Sequence, residues 1–209
     1  MFGSLLLRLI YLSLAACLLI SGGCASTKPA RFYTLSSLAI SGTENRTEPV
    51  GEGIAIGVGP IKIPEHLDRP QIVTRTSRNE LQLAEFDRWA GSLADDFSRV
   101  LAENLSILLS TDRVSIYPWR RSVPIEYQVV VDVSRFDGTL GENAWLSARW
   151  SLLDGENKKV LAMHKSFLNE PSGAPSYKAM VAAQSRALAK LSREIADAIK
   201  EISQKTGNQ

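Results

Sequence analysis

The sequence predicts an α+β domain in which a mostly antiparallel sheet carries two long amphipathic helices packed on one face. Three observations point there. Stretches with apolar residues at every second position recur along residues 31–167, two other stretches have three-four apolar spacing, and short Gly-, Ser- and Pro-rich sequences separate them.

The elements follow in order. "RFYTLSSL", 31–38, has the aromatic and β-branched content of a first strand, and the Gly-, Ser-, Thr- and Glu-rich stretch after it reads as a loop. "IAIGVGPIKIP", 54–64, places Ile54, Ile56 and Val58 on one face with Gly57 and Gly59 between them, a strand with a bulge near Gly59-Pro60. Residues 71–86 alternate on both sides of "SRN", which predicts a hairpin turning at Ser77–Asn79. Ser92 then stands as N-cap to a helix whose stripe is Leu93, Phe97, Val100, Leu101, Leu105 and Leu108, with Asp95 and Asp96 where the helix dipole favours them. Strands resume at "VSIYPW", 114–119. "EYQVVVDVSRF", "NAWLSARWSLLD" and "KKVLAMHKSF" are expected to form three adjacent antiparallel strands, the last two joined through "DGEN". Residues 176–203 form the second helix, about 28 residues and about 40 Å long.

Of the 209 residues only Cys17 and Cys24 are cysteines, so everything from Ala25 onward lacks thiol chemistry, disulfides and zinc-thiolate sites. Residues 1–23 carry one charge, Arg8, then the apolar run Leu9–Ile20 and the small residues Ser21, Gly22 and Gly23. This is the pattern of an export signal, and its apolar run falls short of the roughly 20 residues that span a bilayer. A cysteine directly after that exit resembles a lipobox, in which the thiol takes a diacylglycerol and becomes the new N-terminus. Cys24 is therefore read as the lipid anchor. Cys17, after "LAA", stays as the alternative, although cleavage there would leave only Leu9–Leu14 as apolar core and a greasy new terminus. Ala25, in place of the Asp that retains many such proteins at the inner membrane, directs the expectation to the periplasmic face of the outer membrane. The chain then divides into a signal peptide at 1–23, a lipidated tether at 24–30, one domain at 31–203 and a polar tail at 204–209. Loss of Arg8 moves the formal charge from +2 to about +1, which gives no electrostatic case for nucleic acid.

Catalytic patterns are missing from the sequence. His66 and His164 are far apart and lie in no GxSxG, HExxH or Cys-His spacing. "GVGP", 57–60, lacks the lysine of a phosphate loop, and Pro60 removes an N–H such a loop would use. Asp95 and Asp96 point about 100° apart on a helix and cannot share a proton, so dipole and solvent account for them. Glu80, Glu85 and Asp87 are expected on a solvated hairpin edge. The expectation is no enzyme, no metal and no cofactor beyond the lipid on Cys24.

"HLDRPQIVTR", 66–75, and "FDRWAGSL", 86–93, gather Arg69, Pro70, Arg75, Arg88 and Trp89 on loops flanking the hairpin. Arginine and tryptophan are enriched at interface hot spots, which makes these five the candidate partner interface. The other reading buries Trp89 in the core and pairs Arg88 with a local carboxylate.

The stretches "CASTKPARFYTL", "IPEHLDRPQIVTR", "FDRWAGSLADDFSRVLAENL" and "YQVVVDVSRFDG…WLSARWSLLD", in that order, resemble the PqiC/YmbA family of ABC-type transport auxiliary lipoproteins over nearly the whole of residues 24–203. The resemblance carries the anchor over to Cys24. It matches Asp68–Gln71 and Arg88–Ala90 to family signatures without assigning them a chemical role. It implies an outer-membrane lipoprotein that works with an MCE-domain protein and an inner-membrane transporter in moving lipid or keeping the envelope intact, with self-association into a homo-oligomer as a further expectation. A lipoprotein that regulates a cell-wall synthesis enzyme is the alternative.

Overall fold

The computed structural model describes residues 28–38 and 53–207. Its elements are β1 (Arg31–Tyr33), β2 (Ile56–Lys62), β3 (Gln71–Ser77), β4 (Glu80–Trp89), α1 (Leu93–Leu108), β5 (Val114–Ile116), β6 (Tyr127–Gly138), β7 (Asn143–Asp154), β8 (Val160–Pro171) and α2 (Tyr177–Gly207). The class is α+β. The strands divide into two sheets, one of three in the order β1-β4-β3 and one of five in the order β5-β2-β6-β7-β8.

The three long strands β6, β7 and β8 pair antiparallel in sequence order, as their alternation predicts. Val129 faces Leu152, Val131 faces Trp150 and Val133 faces Ala148, so the two strands bury the same side. Three pairs are parallel instead: β1 with β4, and β2 with both β5 and β6. Parallel neighbours need a long crossover. Between β2 and β5 that crossover is the hairpin plus α1, a connection that strand alternation does not encode.

β2 lies between β5 and β6, and Ala55 to Gly59 are all buried. A Cβ on Gly57 would meet the Trp119 ring at 2.7 Å, so the indole occupies the space a side chain would need. The bulge falls between Val58 and Ile61, where Gly59 takes φ 116°, at the place the Gly-Pro pair predicts. The hairpin turns at Arg78-Asn79, but β4 runs on to Trp89, three residues past the expected end. Its last residues find backbone partners in β1. β1, in turn, stops at Tyr33 and not at Leu38, because β4 ends opposite Tyr33.

Both helices cover one face of the five-stranded sheet. Ser92 caps α1 by accepting the Asp95 N–H at 3.2 Å, and Ser176 does the same for α2 with the Ala179 N–H. Phe97 of α1 packs edge-on against Phe136 of β6, with ring centroids 5.5 Å apart. Met180, Leu188, Leu191, Ile195 and Ile199 form the inner stripe of α2. That helix continues to Gly207, so residues 204–207 of the expected tail are helical, with a Lys205–Glu201 ion pair on its surface. Replacing fully buried Phe97 with alanine is expected to destabilise the protein by about 3–5 kcal/mol in urea denaturation. Alanine at exposed Glu80 is expected to change stability by less than about 0.5 kcal/mol.

Candidate functional site

Residues 31–38, β1 and the irregular stretch after it, form a heavily bonded strap that leads from the expected tether into the domain. Its first half is fastened by one carboxylate. Asp87 accepts from Arg31 Nη2 at 2.9 Å and from the Tyr33 hydroxyl at 2.7 Å. Asp87 was expected at a solvated edge, but it is 4% exposed, because β1 lies alongside β4 and closes over it. Glu80 and Glu85 are exposed as expected. Burial first, and the bond to Asp87 second, push the Tyr33 phenol above its ordinary value.

The second half of the strap crosses both helices outside any sheet, so its N–H groups need side-chain acceptors. Leu35 N–H donates to Asp96 Oδ2 at 2.6 Å, Ser36 N–H to Ser185 Oγ at 3.0 Å, and Leu38 N–H to Asn104 Oδ1 at 2.9 Å. Arg99 Nη2 donates back to the Leu35 carbonyl. Asp95 is solvated as expected, whereas Asp96 is committed to the strap and Arg99 rather than to the helix dipole alone. Asn104 also donates to Ser192 Oγ, tying α1 to α2 beneath the strap. Sequence reasoning overlooked these acceptors, yet a signal existed: Asn104, Ser185 and Ser192 are polar residues on the otherwise apolar stripes of the two helices. A buried polar group there requires a partner.

The two signature motifs meet at the N-terminus of α1. Asp68 Oδ1 accepts from the backbone N–H groups of Leu93 and Ala94 at 3.0 and 3.3 Å and from the Ser92 hydroxyl, a second cap supplied from a distant loop. Trp89 N–H donates to the Pro70 carbonyl, and Ala90 N–H to the Tyr33 carbonyl. The motifs thus have a structural role, joining hairpin, helix and strap.

Of the five candidate interface residues, the structure brings together Arg69, Pro70 and Trp89 around a shallow cleft with Asp68 and Ser92. Arg88 is exposed one position away, on β4, and forms no ion pair among the described residues. Trp89 is 5% exposed and belongs to the core, with its backbone in β4 and not in a loop. Arg75 sits apart, on β3. It is paired to buried Asp137 at 2.8 Å and pins the hairpin to the large sheet. Cys24, Cys17 and residues 1–27 lie outside the described residues.

Two other surfaces stand out. β8 is the edge of the five-stranded sheet and exposes Val160, Met163 and Phe167 on one face, with Lys165 Nζ 4.6 Å from the Phe167 ring centroid. At the end of the sheet where β6 begins, Trp119, Pro124, Tyr127, Leu161 and Ile202 line a cleft of about 800 Å³. His66 is exposed on its loop, and His164 lies against Trp150 beside acidic residues of α2. Among the described residues no group of three or more His, Cys, Asp and Glu is arranged to hold a metal ion, and no helix is long and apolar enough to cross a membrane.

Glu170, at the end of β8, has side-chain exposure of only 8% and pairs with Lys190 at 2.6 Å and Arg186 at 3.1 Å. Burial alone would raise its pKa, but the hydrogen bonds and charges of Lys190 and Arg186 outweigh it and hold the carboxyl below its ordinary 4.5.

These features define a class: an α+β domain whose N-terminal strap is fastened across hairpin and helices. The family model described as "ABC-type transport auxiliary lipoprotein component" matches residues 33–196, and the chain belongs to that family. Its fold is that of protein XCC0632 from Xanthomonas campestris (TM-score 0.65, 18% identity, covering 86% of this chain and 100% of that one). An uncharacterized protein of known structure is similar at TM-score 0.67 and 19% identity, over 82% of this chain and 99% of its own. The PelC dodecamer from Paraburkholderia phytofirmans, at TM-score 0.42 and 14% identity over 72% of this chain and 93% of that one, is too distant to carry an argument. Among curated proteins no match was found.

Two measurements test the assignments of this region. Asn104→Ala is expected to destabilise the protein by about 1–3 kcal/mol, because it leaves the buried Leu38 N–H without an acceptor, and to speed hydrogen exchange at Leu38. Glu170 is charged more readily folded than unfolded, so its contribution is present above its unfolded value and is lost as pH falls through about 4.5 and below. Glu170→Gln is therefore expected to be less stable than the native chain near neutral pH, with the gap closing in acid when urea midpoints are compared across pH.

Proposed function

We propose that this protein is a non-catalytic accessory subunit of an MCE/ABC-type lipid transport system, held at the periplasmic face of the outer membrane by a lipid on Cys24 and contributing to envelope integrity. The observation that carries the reading is the family match, which starts at Tyr33 inside the strap and runs to Ala196, about two thirds of the way along α2. The strap supports it mechanically. A tether entering at residue 31 would pull on Asp87, β4 and both helices together, so a load on the anchor is distributed through the core. In this reading the protein works by position and by contact with an MCE-domain partner. It uses no metal and no diffusible cofactor.

Mass spectrometry of the tagged protein extracted from the envelope in mild detergent is the direct test. Recovery of an MCE-domain protein is expected, and recovery of a cell-wall synthase in its place would favour a regulatory lipoprotein. Cys24→Ser is expected to release the protein from the membrane fraction, and a Cys24→Ser protein with full transport function would sink the anchored reading.

A further inference from the structure

Arg31 and Tyr33 both turn toward Asp87, so strand alternation sends Phe32, between them, to the opposite side. Phe32 is 64% exposed, and the fastening at Asp87 holds it in that pose. Its partner across the parallel pair is Arg88, and Gln71 stands opposite Arg88 on β3. Arg69 Nε donates to Gln71 Oε1 at 3.4 Å. An exposed ring and the Arg88 guanidinium therefore share one row across the three-stranded sheet, half-buried Arg69 joins its end through Gln71, and exposed Lys28 precedes it in the chain. Of the nearby carboxylates, Asp87 faces Arg31 and Tyr33 and Asp68 faces the N-terminus of α1, while Glu85, three positions before Arg88 on β4, stays exposed.

We infer that this row, Phe32, Arg88 and Arg69, is a docking face for the phospholipid surface to which the tether is attached. The inference rests on the reading of Cys24 as the anchor. Arg31 follows Cys24 by seven positions, so the acylated residue lies within about 25 Å of this face even when the tether is fully extended. Aromatic rings settle at the boundary between headgroups and acyl chains, and guanidinium groups bond lipid phosphates through two parallel N–H donors. A second copy presenting the same row would set arginines against arginines, which disfavours self-pairing there. Docking would give the tethered domain a fixed orientation. α2 starts beside Thr74 and Asp87, near this face, and reaches Ile202 about 38 Å further along its axis, so the cleft around Trp119 is held away from the lipid.

The domain has no cysteine of its own, so single labels are simple to place. Full-length lipidated protein carrying Phe32→Cys, or Tyr117→Cys at the far end, is labelled with a polarity-sensitive dye and reconstituted into vesicles of phosphatidylethanolamine and phosphatidylglycerol. Tyr117 is itself exposed, so neither change disturbs the core. The expected result is a blue-shifted label at position 32, quenched several-fold more by spin-labelled lipid than the label at 117, with Arg88→Glu reducing that difference. Vesicle flotation reports the anchor separately. Flotation with equal, water-like emission at both positions overturns the docking face and leaves the anchor standing, whereas failure to float overturns both. Shielding at position 32 that rises with protein density at constant lipid assigns the face to a second copy and also overturns the inference.

Discussion

The carboxylate of Asp87 is the fastening on which the arrangement of the N-terminal half depends. Two donors from one three-residue strand converge on it, and that convergence makes β1 a strand at all, since three residues form too few ladder bonds to hold alone. With β1 in place, β4 gains a second neighbour and extends to Trp89, whose ring closes the core below the cleft at the start of α1. The strap is then carried over the helices, where the N–H groups of Leu35, Ser36 and Leu38 find acceptors on α1 and α2. The polar residues in the helical stripes are the counterpart of the strap's irregular backbone.

Below the strap the structure follows simpler rules. Alternating strands β6 and β7 present one continuous apolar surface, and two amphipathic helices cover it. The opposite face of β7 and β8 stays open to solvent. Function is therefore sought at the margins: the strap end, the open edge at β8 and the far cleft. In the proposed reading these divide the work, with the strap end meeting lipid and the remaining surfaces free for protein partners.

The signature residues illustrate why motif and interface are different things. Asp68, Pro70 and Trp89 have specific partners, but those partners are an internal helix terminus and internal backbone groups. Arg75 likewise spends its charge on buried Asp137. Arg69 and Arg88, at the rim of the same motifs, form no ion pair among the described residues.

By itself the sequence determined the local elements: the strand-like periodicity of β6, β7 and β8, the cap at Ser92, the bulge at Gly59-Pro60, the hairpin turn and both helices. Each depends on residues within a few positions of one another, where periodicity and backbone geometry leave their mark. The candidate site was legible only in part, as a clustering of Arg, Trp and Pro around the hairpin. Tertiary structure decided the division into two sheets, the parallel pairs of β1 and β2, the burial of Asp87 and the assignment of Asp96 and Asn104 to the strap. Those features join residues 50 or more positions apart. Long-range pairing is selected by which buried donors and acceptors satisfy one another, and no local pattern records that choice.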